Sequence, residues 1–253
     1  MASEERFGYE WEKYAEMDPI YEEQFRNWTN LTPETVAGKD ILDAGCGMGR
    51  NSYWPLSWGA KSVTGIDNDD RTLASAKKTL AEFPNATVTR CDISNIPWEN
   101  QFDIVMCIGV LHHLRNPELA LKNFSQALRP DGRLVIWVYS YEGNEWIVRL
   151  VDPVRKAITS KLPLSVVHLL AYFCSIPLYL FVKLFRGPSP YLKQLSTFRF
   201  HHTHSIVFDQ LIPSVANYWR HDEVFSLAQS AGVKNISVEL TKSGTGWILT
   251  GTK

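Results

Sequence analysis

Ile41-Leu42-Asp43-Ala44-Gly45-Cys46-Gly47-Met48-Gly49-Arg50 changes character at its midpoint, from a short apolar run to glycine at every second position. The first half reads as a buried strand and the second as a strand-to-helix turn. Glycine lets backbone pass close to a ligand and take positive φ values, and a helix that follows aims its free N–H groups at the same spot. A second apolar run, Ser62-Val63-Thr64-Gly65-Ile66-Asp67, ends in a carboxylate able to accept hydrogen bonds from both hydroxyls of a ribose. A dinucleotide site requires G-x-G-x-x-G, whereas position 50 is Arg and the third glycine falls one place early. Asp43, just before the glycines, suits a ligand that carries an ammonium and a sulfonium rather than a pyrophosphate.

Working outward, Thr87-Val88-Thr89-Arg90-Cys91-Asp92, Phe102-Asp103-Ile104-Val105-Met106-Cys107-Ile108 and Arg133-Leu134-Val135-Ile136-Trp137-Val138-Tyr139 supply three more strands. Helical stretches over residues 71–83 and 117–128 separate them, the second followed by the turn Arg129-Pro130-Asp131-Gly132. Near-continuous apolar strands alternating with helices imply a parallel sheet covered on both faces, an α/β doubly wound fold. The pattern resumes late: Asp222 caps a helix over 223–231 that stops at Gly232, and residues 236–240 and 246–250 form a closing hairpin. Three regions follow: an aromatic helical arm over 1–38, a ligand-binding domain over 39–143 and 218–253, and an insertion over 144–217.

The chain has 253 residues, 45% hydrophobic, and a net charge of −1. That length supports a core without disulfides or a structural metal, and the balanced charge argues against a dedicated nucleic-acid binder. Cys46, Cys91, Cys107 and Cys174 form no C-x-x-C pair. With an acidic, polar start that lacks a signal-peptide layout, they point to reduced thiols in a cytoplasmic protein.

The ordered set Asp43-x-Gly45-x-Gly47-x-Gly49, Asp67, Cys91-Asp92-Ile93, Val110-Leu111-His112-His113-Leu114 and Arg129-Pro130-Asp131-Gly132-Arg133-Leu134 resembles the class I S-adenosylmethionine-dependent methyltransferases of the methyltransferase domain 11 type. The resemblance covers about residues 39–139 and 222–252. It implies a Rossmann-like, mostly parallel sheet of seven strands. It implies that S-adenosylmethionine is the cofactor and S-adenosylhomocysteine the product. By the same resemblance Gly45, Gly47 and Gly49 line the methionine moiety beside Asp43, and Asp67 with Asn68 meets the ribose. Asp92 meets the adenine amino group, Ile93 packs on the ring, and Cys46 and Ile108 contribute backbone. The arm around Phe7, Tyr9, Trp11 and Tyr14 closes over the cofactor.

Methyl transfer from a sulfonium requires an aligned nucleophile and exclusion of water. An oxygen or acidic-carbon nucleophile also needs a base. His112, His113 and Tyr139, at the ends of the fourth and fifth strands, are the candidates; packing is the alternative role for the His-His pair. His201-His202-Thr203-His204 lacks nearby carboxylate or thiolate help, so the histidines read as loop residues and no metal is expected.

The insertion is distinctive. Residues 162–182 contain no Lys, Arg, Asp or Glu, a span long enough to cross a bilayer, but strands on both sides belong to one sheet and Pro163 and Pro177 interrupt a clean helix. A cap forming a greasy acceptor pocket, an in-plane membrane element and a homodimer surface remain open. Between Trp146 and Phe208 eight basic residues face the single acid Asp152, a net +7 that leaves −8 on the rest. The expected acceptor is therefore a lipophilic or amphiphilic small molecule, methylated at oxygen or carbon, with no nucleic-acid partner. A nucleic-acid methyltransferase is disfavoured by the absence of an Asn/Asp-Pro-Pro-aromatic run after the fourth strand. A cofactor-binding, non-catalytic docking protein is the remaining alternative.

Overall fold

A computed structural model describes residues 7, 17–185 and 189–253. In chain order the first half comprises α1 (Ile20–Thr29), α2 (Pro33–Val36), β1 (Asp40–Ala44), α3 (Arg50–Ser57), β2 (Ser62–Asp67), α4 (Asp70–Thr79), β3 (Ala86–Arg90), β4 (Phe102–Ile108), α5 (Pro117–Ala127) and β5 (Leu128–Tyr139). A π turn (Ile147–Val151) leads to α6 (Asp152–Ala157), α7 (Leu164–Phe185), α8 (Pro190–Thr197) and α9 (Phe200–Leu211). The chain returns through α10 (His221–Ser230), β6 (Lys234–Leu240) and β7 (Gly246–Thr252).

The seven strands form one sheet in the order β3-β2-β1-β4-β5-β7-β6. The first five are parallel, and β7 lies antiparallel between β5 and β6. The continuous apolar runs are explained by burial on both faces: Ile41, Leu42, Ala44, Val105, Met106, Val135 and Ile136 are fully enclosed. Chain direction across the sheet reverses between β1 and β4, which opens a crevice at their carboxyl ends.

Local chemistry sets the helix ends. The Asp69 carboxylate accepts from the Arg71 and Thr72 N–H groups to start α4, and Asn116 caps α5 ahead of Pro117. At α10 the expected Asp222 cap is replaced: Glu223 accepts from the Arg220 N–H at 2.6 Å, and Asp222 lies inside the first turn. The turn expected at 129–132 lies within β5, where a register shift against β4 between Phe102 and Ile104 accommodates it.

The insertion is helical, and α7 runs unbroken through Pro177. The expected interruption does not occur because proline here removes one N–H, orphaning the carbonyl of Phe173. Both residues lie on the exposed side, where water serves that group. On the opposite side Val167, Ala171, Ser175 and Val182 are buried against α8 and α9. The helix is long and apolar enough to cross a membrane by length and composition, yet it is packed along its length on the protein.

Candidate functional site

The glycine turn after β1 is pinned to β2: the N–H groups of Gly45 and Cys46 both donate to the Ile66 carbonyl, at 2.8 and 2.9 Å. Gly45 takes φ +81°, and a Cβ there would come within 2.5 Å of Val110. A side chain at that position is excluded twice, by backbone conformation and by space. Asp67, at the end of β2, accepts from the N–H groups of Gly47 (3.1 Å), Asn68 (2.7 Å) and Asp69 (3.2 Å). Its burial nonetheless holds its pKa above the usual carboxylate value, the backbone donors opposing.

Asp43 is fully buried beneath this turn. Its Oδ2 accepts from the Ser52 hydroxyl at 2.6 Å, while Oδ1 has no partner among the described residues. Burial pushes its pKa up to about 7, with Ser52 opposing and the nearby Asp67 charge adding to the rise. The turn thus offers backbone that lines a cavity, a wall carboxylate at Asp67 and, buried beneath it, the orphaned Asp43 oxygen. That donor and acceptor set fits a ligand with a ribose and a cationic amino-acid end.

A cavity of about 240 Å³ opens over the turn. Gly45, Cys46, Gly47, Asp67 and Ile108 form one wall; His113, Trp137 and Tyr139 belong to the end of the sheet; Tyr191, Phe198, Ile206, Asp209 and Gln210 come from the insertion. Trp28 of α1 stacks on Trp137 with centroids 4.1 Å apart, and Phe7 lies 4.8 Å from the His113 ring. Tyr9, Trp11 and Tyr14, expected in the arm, lie outside the described residues. A second, more apolar cavity of about 800 Å³ shares Ile147, Tyr191, Ile206 and Gln210 with the first.

Other expected residues lie off this wall. Gly49 starts α3 and packs on Leu80, and Ile93 is buried in the core below the sheet edge. Asp92 is exposed and caps the short turn Ile93–Asn95 by accepting from the Ser94 N–H. Asn68 donates its backbone N–H to Asp67. Cys46, which does belong to the wall, stays a thiol, because burial pushes its pKa well above the ordinary value.

The three base candidates separate clearly. His113 Nδ1 lies 2.8 Å from the Val215 carbonyl, which can only accept, so Nδ1 carries the proton and Nε2 is the acceptor. Burial lowers its pKa to about 4. His112 is fully buried 3.9 Å from the Tyr139 ring, and neither ring nitrogen has a hydrogen-bond partner among the described residues. The Tyr139 hydroxyl donates to Asp209 at 3.3 Å and accepts from Gln210 at 3.1 Å. Burial and the Asp209 charge raise its pKa, so it remains a phenol. The chain of bonds continues: the Tyr218 hydroxyl donates to Gln210, and buried Arg155, paired with Asp152, donates to Tyr218 at 3.4 Å.

Asp209, Gln210 and Tyr191 were not found by sequence reasoning. One signal was available, since Asp209 is the sole acid between Asp152 and Asp222. His202 and His204, expected in a loop, are helical: His202 stacks on Phe198 at 3.9 Å, and His204 Nδ1 meets the Ser175 hydroxyl at 2.8 Å.

Residues 42–136 match the family described as a methyltransferase domain. The chain is similar to the tRNA U34 carboxymethyltransferase of Idiomarina loihiensis, 31% identical over 130 residues, 49% of this chain and 40% of that protein. The protein of the same name from Methylococcus capsulatus is 40% identical over 116 residues, 43% of this chain and 35% of the relative. The chain therefore spans less than half the length of these curated relatives. The crystal structure of an S-adenosylmethionine dependent methyltransferase from Mesorhizobium loti has the same fold, with a TM-score of 0.55 at 16% identity, covering 91% of this chain and 96% of that one.

These relatives correct two expectations, the small-molecule acceptor and the absence of a nucleic-acid partner, because their name specifies tRNA. The physical reasons are plain. A net charge near zero averages a +7 stretch with a −8 remainder. The missing Asn/Asp-Pro-Pro-aromatic run is a mark of base N-methylation alone, so its absence does not bear on other nucleic-acid chemistry.

Proposed function

We propose that this chain, which belongs to the class I S-adenosylmethionine-dependent methyltransferases, transfers a methyl group to a nucleic-acid acceptor of the tRNA class. Its cofactor is S-adenosylmethionine, which supplies an activated methyl on a sulfonium when bound. Gly45, Cys46 and Gly47 would hold the amino-acid end by backbone and Asp67 the ribose hydroxyls. The observation that carries the reading is that one cavity joins the glycine turn and Asp67 to Tyr139, Asp209 and Gln210.

The acceptor class is supported by the names of the relatives and by the shape of the far wall. Trp28, Trp137, Tyr139, Tyr191 and Phe198 line the cavity, with Asp209 and Gln210 as hydrogen-bonding groups among them. Enzymes that act on a base take it out of its stack, sandwich it between such side chains and read its edge with polar groups. His113 is neutral at pH 7 and can take up a proton through Nε2, but burial prevents it from retaining one. Tyr139, kept protonated, donates its one proton to Asp209 and so positions that carboxylate in the cavity wall.

The test is to incubate the purified chain with methyl-labelled S-adenosylmethionine and bulk tRNA. Ribonuclease-sensitive label in the RNA fraction is expected. Cofactor binding by the protein with no label in RNA would overturn the acceptor assignment.

A further inference from the structure

Along α7 the residues Leu169, Phe173, Ile176, Leu180 and Leu184 recur at spacings of four and three and form one exposed stripe, with Phe173 72% and Leu184 74% accessible. The opposite side, Val167, Ala171, Ser175 and Val182, is buried on the protein. The helix is therefore fully engaged on one side and bare on the other for 22 residues, about 33 Å. The preceding segment repeats the arrangement: Trp146, Leu150, Val154 and Ile158 are exposed at intervals of four. An exposed apolar stripe of this length on one helix marks an interaction site.

Charge identifies the partner. Residues 153–208 contain no acid, while Lys161, Lys183 and Lys193 of the same insertion are exposed. An exposed apolar stripe on an insertion whose exposed charges are basic matches a bilayer whose headgroups are anionic: the stripe enters the acyl boundary and the lysines meet phosphate. A polynucleotide has no place for Leu169, Ile176 and Leu184. The exposed face of α7 by itself, about 33 Å by 10 Å, offers roughly 330 Å², short of the ~800 Å² per partner of a stable dimer. Transmembrane insertion is blocked by geometry, because α7 packs along α8 and α9 and its flanking strands share one sheet.

We propose that α7 docks this protein in the plane of an anionic membrane surface, its Leu169–Leu184 stripe buried at the acyl boundary. The inference is independent of the acceptor, since none of the stripe residues lines the cavity over the glycine turn.

The experiment is flotation of the full chain with vesicles of phosphatidylcholine alone, or with one third phosphatidylserine. The wild type is expected to float with the anionic vesicles, at least tenfold more than with neutral ones, and less as salt rises. Phe173→Glu/Leu184→Glu should abolish flotation while calorimetry gives unchanged S-adenosylmethionine affinity; both side chains are outward-facing, so folding is spared. Lys161→Glu should weaken only the binding to anionic vesicles. Absence of flotation overturns the proposal, and so does equal flotation by the double variant. A dimer in sedimentation velocity that the double variant dissolves would assign the stripe to a second copy instead. Retention of tRNA lost in the same variant would assign it to RNA. Either result overturns membrane docking.

Discussion

The two halves of the cavity wall are built on opposite principles. On the sheet side, the glycine turn rests on strands whose side chains are enclosed on both faces, and its N–H groups are fixed by the Ile66 carbonyl. On the insertion side, α7 to α9 enclose small clusters, Val167 with Phe208 and Val182 with Leu195, and leave large apolar side chains facing out. The sheet half gains stability from area buried per residue. The insertion half relies on a few buried polar links, above all Arg155 with Asp152 and Tyr218. The contrast separates a glycine turn held by buried strands from an insertion wall held by specific polar bonds.

Substitution in the floor should have the largest consequence. Gly45→Val forces a β-branched residue to φ +81° with its Cβ in contact with Val110; a loss of about 4 kcal/mol in urea unfolding is expected, together with loss of cofactor binding. A fully folded variant that binds normally would break the claim that the turn is rigid.

Asp43→Asn sharpens the comparison through pH. The folded carboxyl has a pKa of about 7, above its ordinary 3.8, so the folded state holds a proton that the unfolded state has lost. That contribution is complete below pH 4 and disappears as pH rises through 7. The cofactor-free wild type should therefore lose stability between pH 4 and pH 8, and the Asn variant should not. At pH 8 the variant should be more stable by roughly 3 kcal/mol. Parallel stability curves for the two proteins would contradict the assignment.

Arg155→Met tests the other half. It should cost about 2 kcal/mol, less than a fully broken buried pair because Lys156 still faces Asp152. It should lower turnover through Tyr218 and Gln210 while leaving cofactor affinity intact. Coupled loss of both would mean that the halves are not separable.

The sheet half was readable from the amino-acid sequence because its signals are local. An apolar run buried on both faces, an alternating glycine turn and a terminal carboxylate each announce themselves within ten residues, and Asp43, Gly45 and Asp67 follow directly. The insertion resisted for the same physical reason in reverse. Pro177 leaves α7 unbroken because it and Phe173, whose carbonyl loses its N–H partner, both lie on the exposed side. Asp209 becomes a site residue only when α9 folds back over Tyr139, a contact 70 residues distant in the chain. The acceptor was misread because total charge hides the opposite charges of the two halves.

The account rests most heavily on the cofactor floor, and calorimetric titration of S-adenosylmethionine against wild type and Asp67→Ala tests it directly. One-to-one binding that falls by about 100-fold in the variant is predicted, the loss of two charge-assisted hydrogen bonds to the ribose. Equal affinities in the two proteins would contradict it.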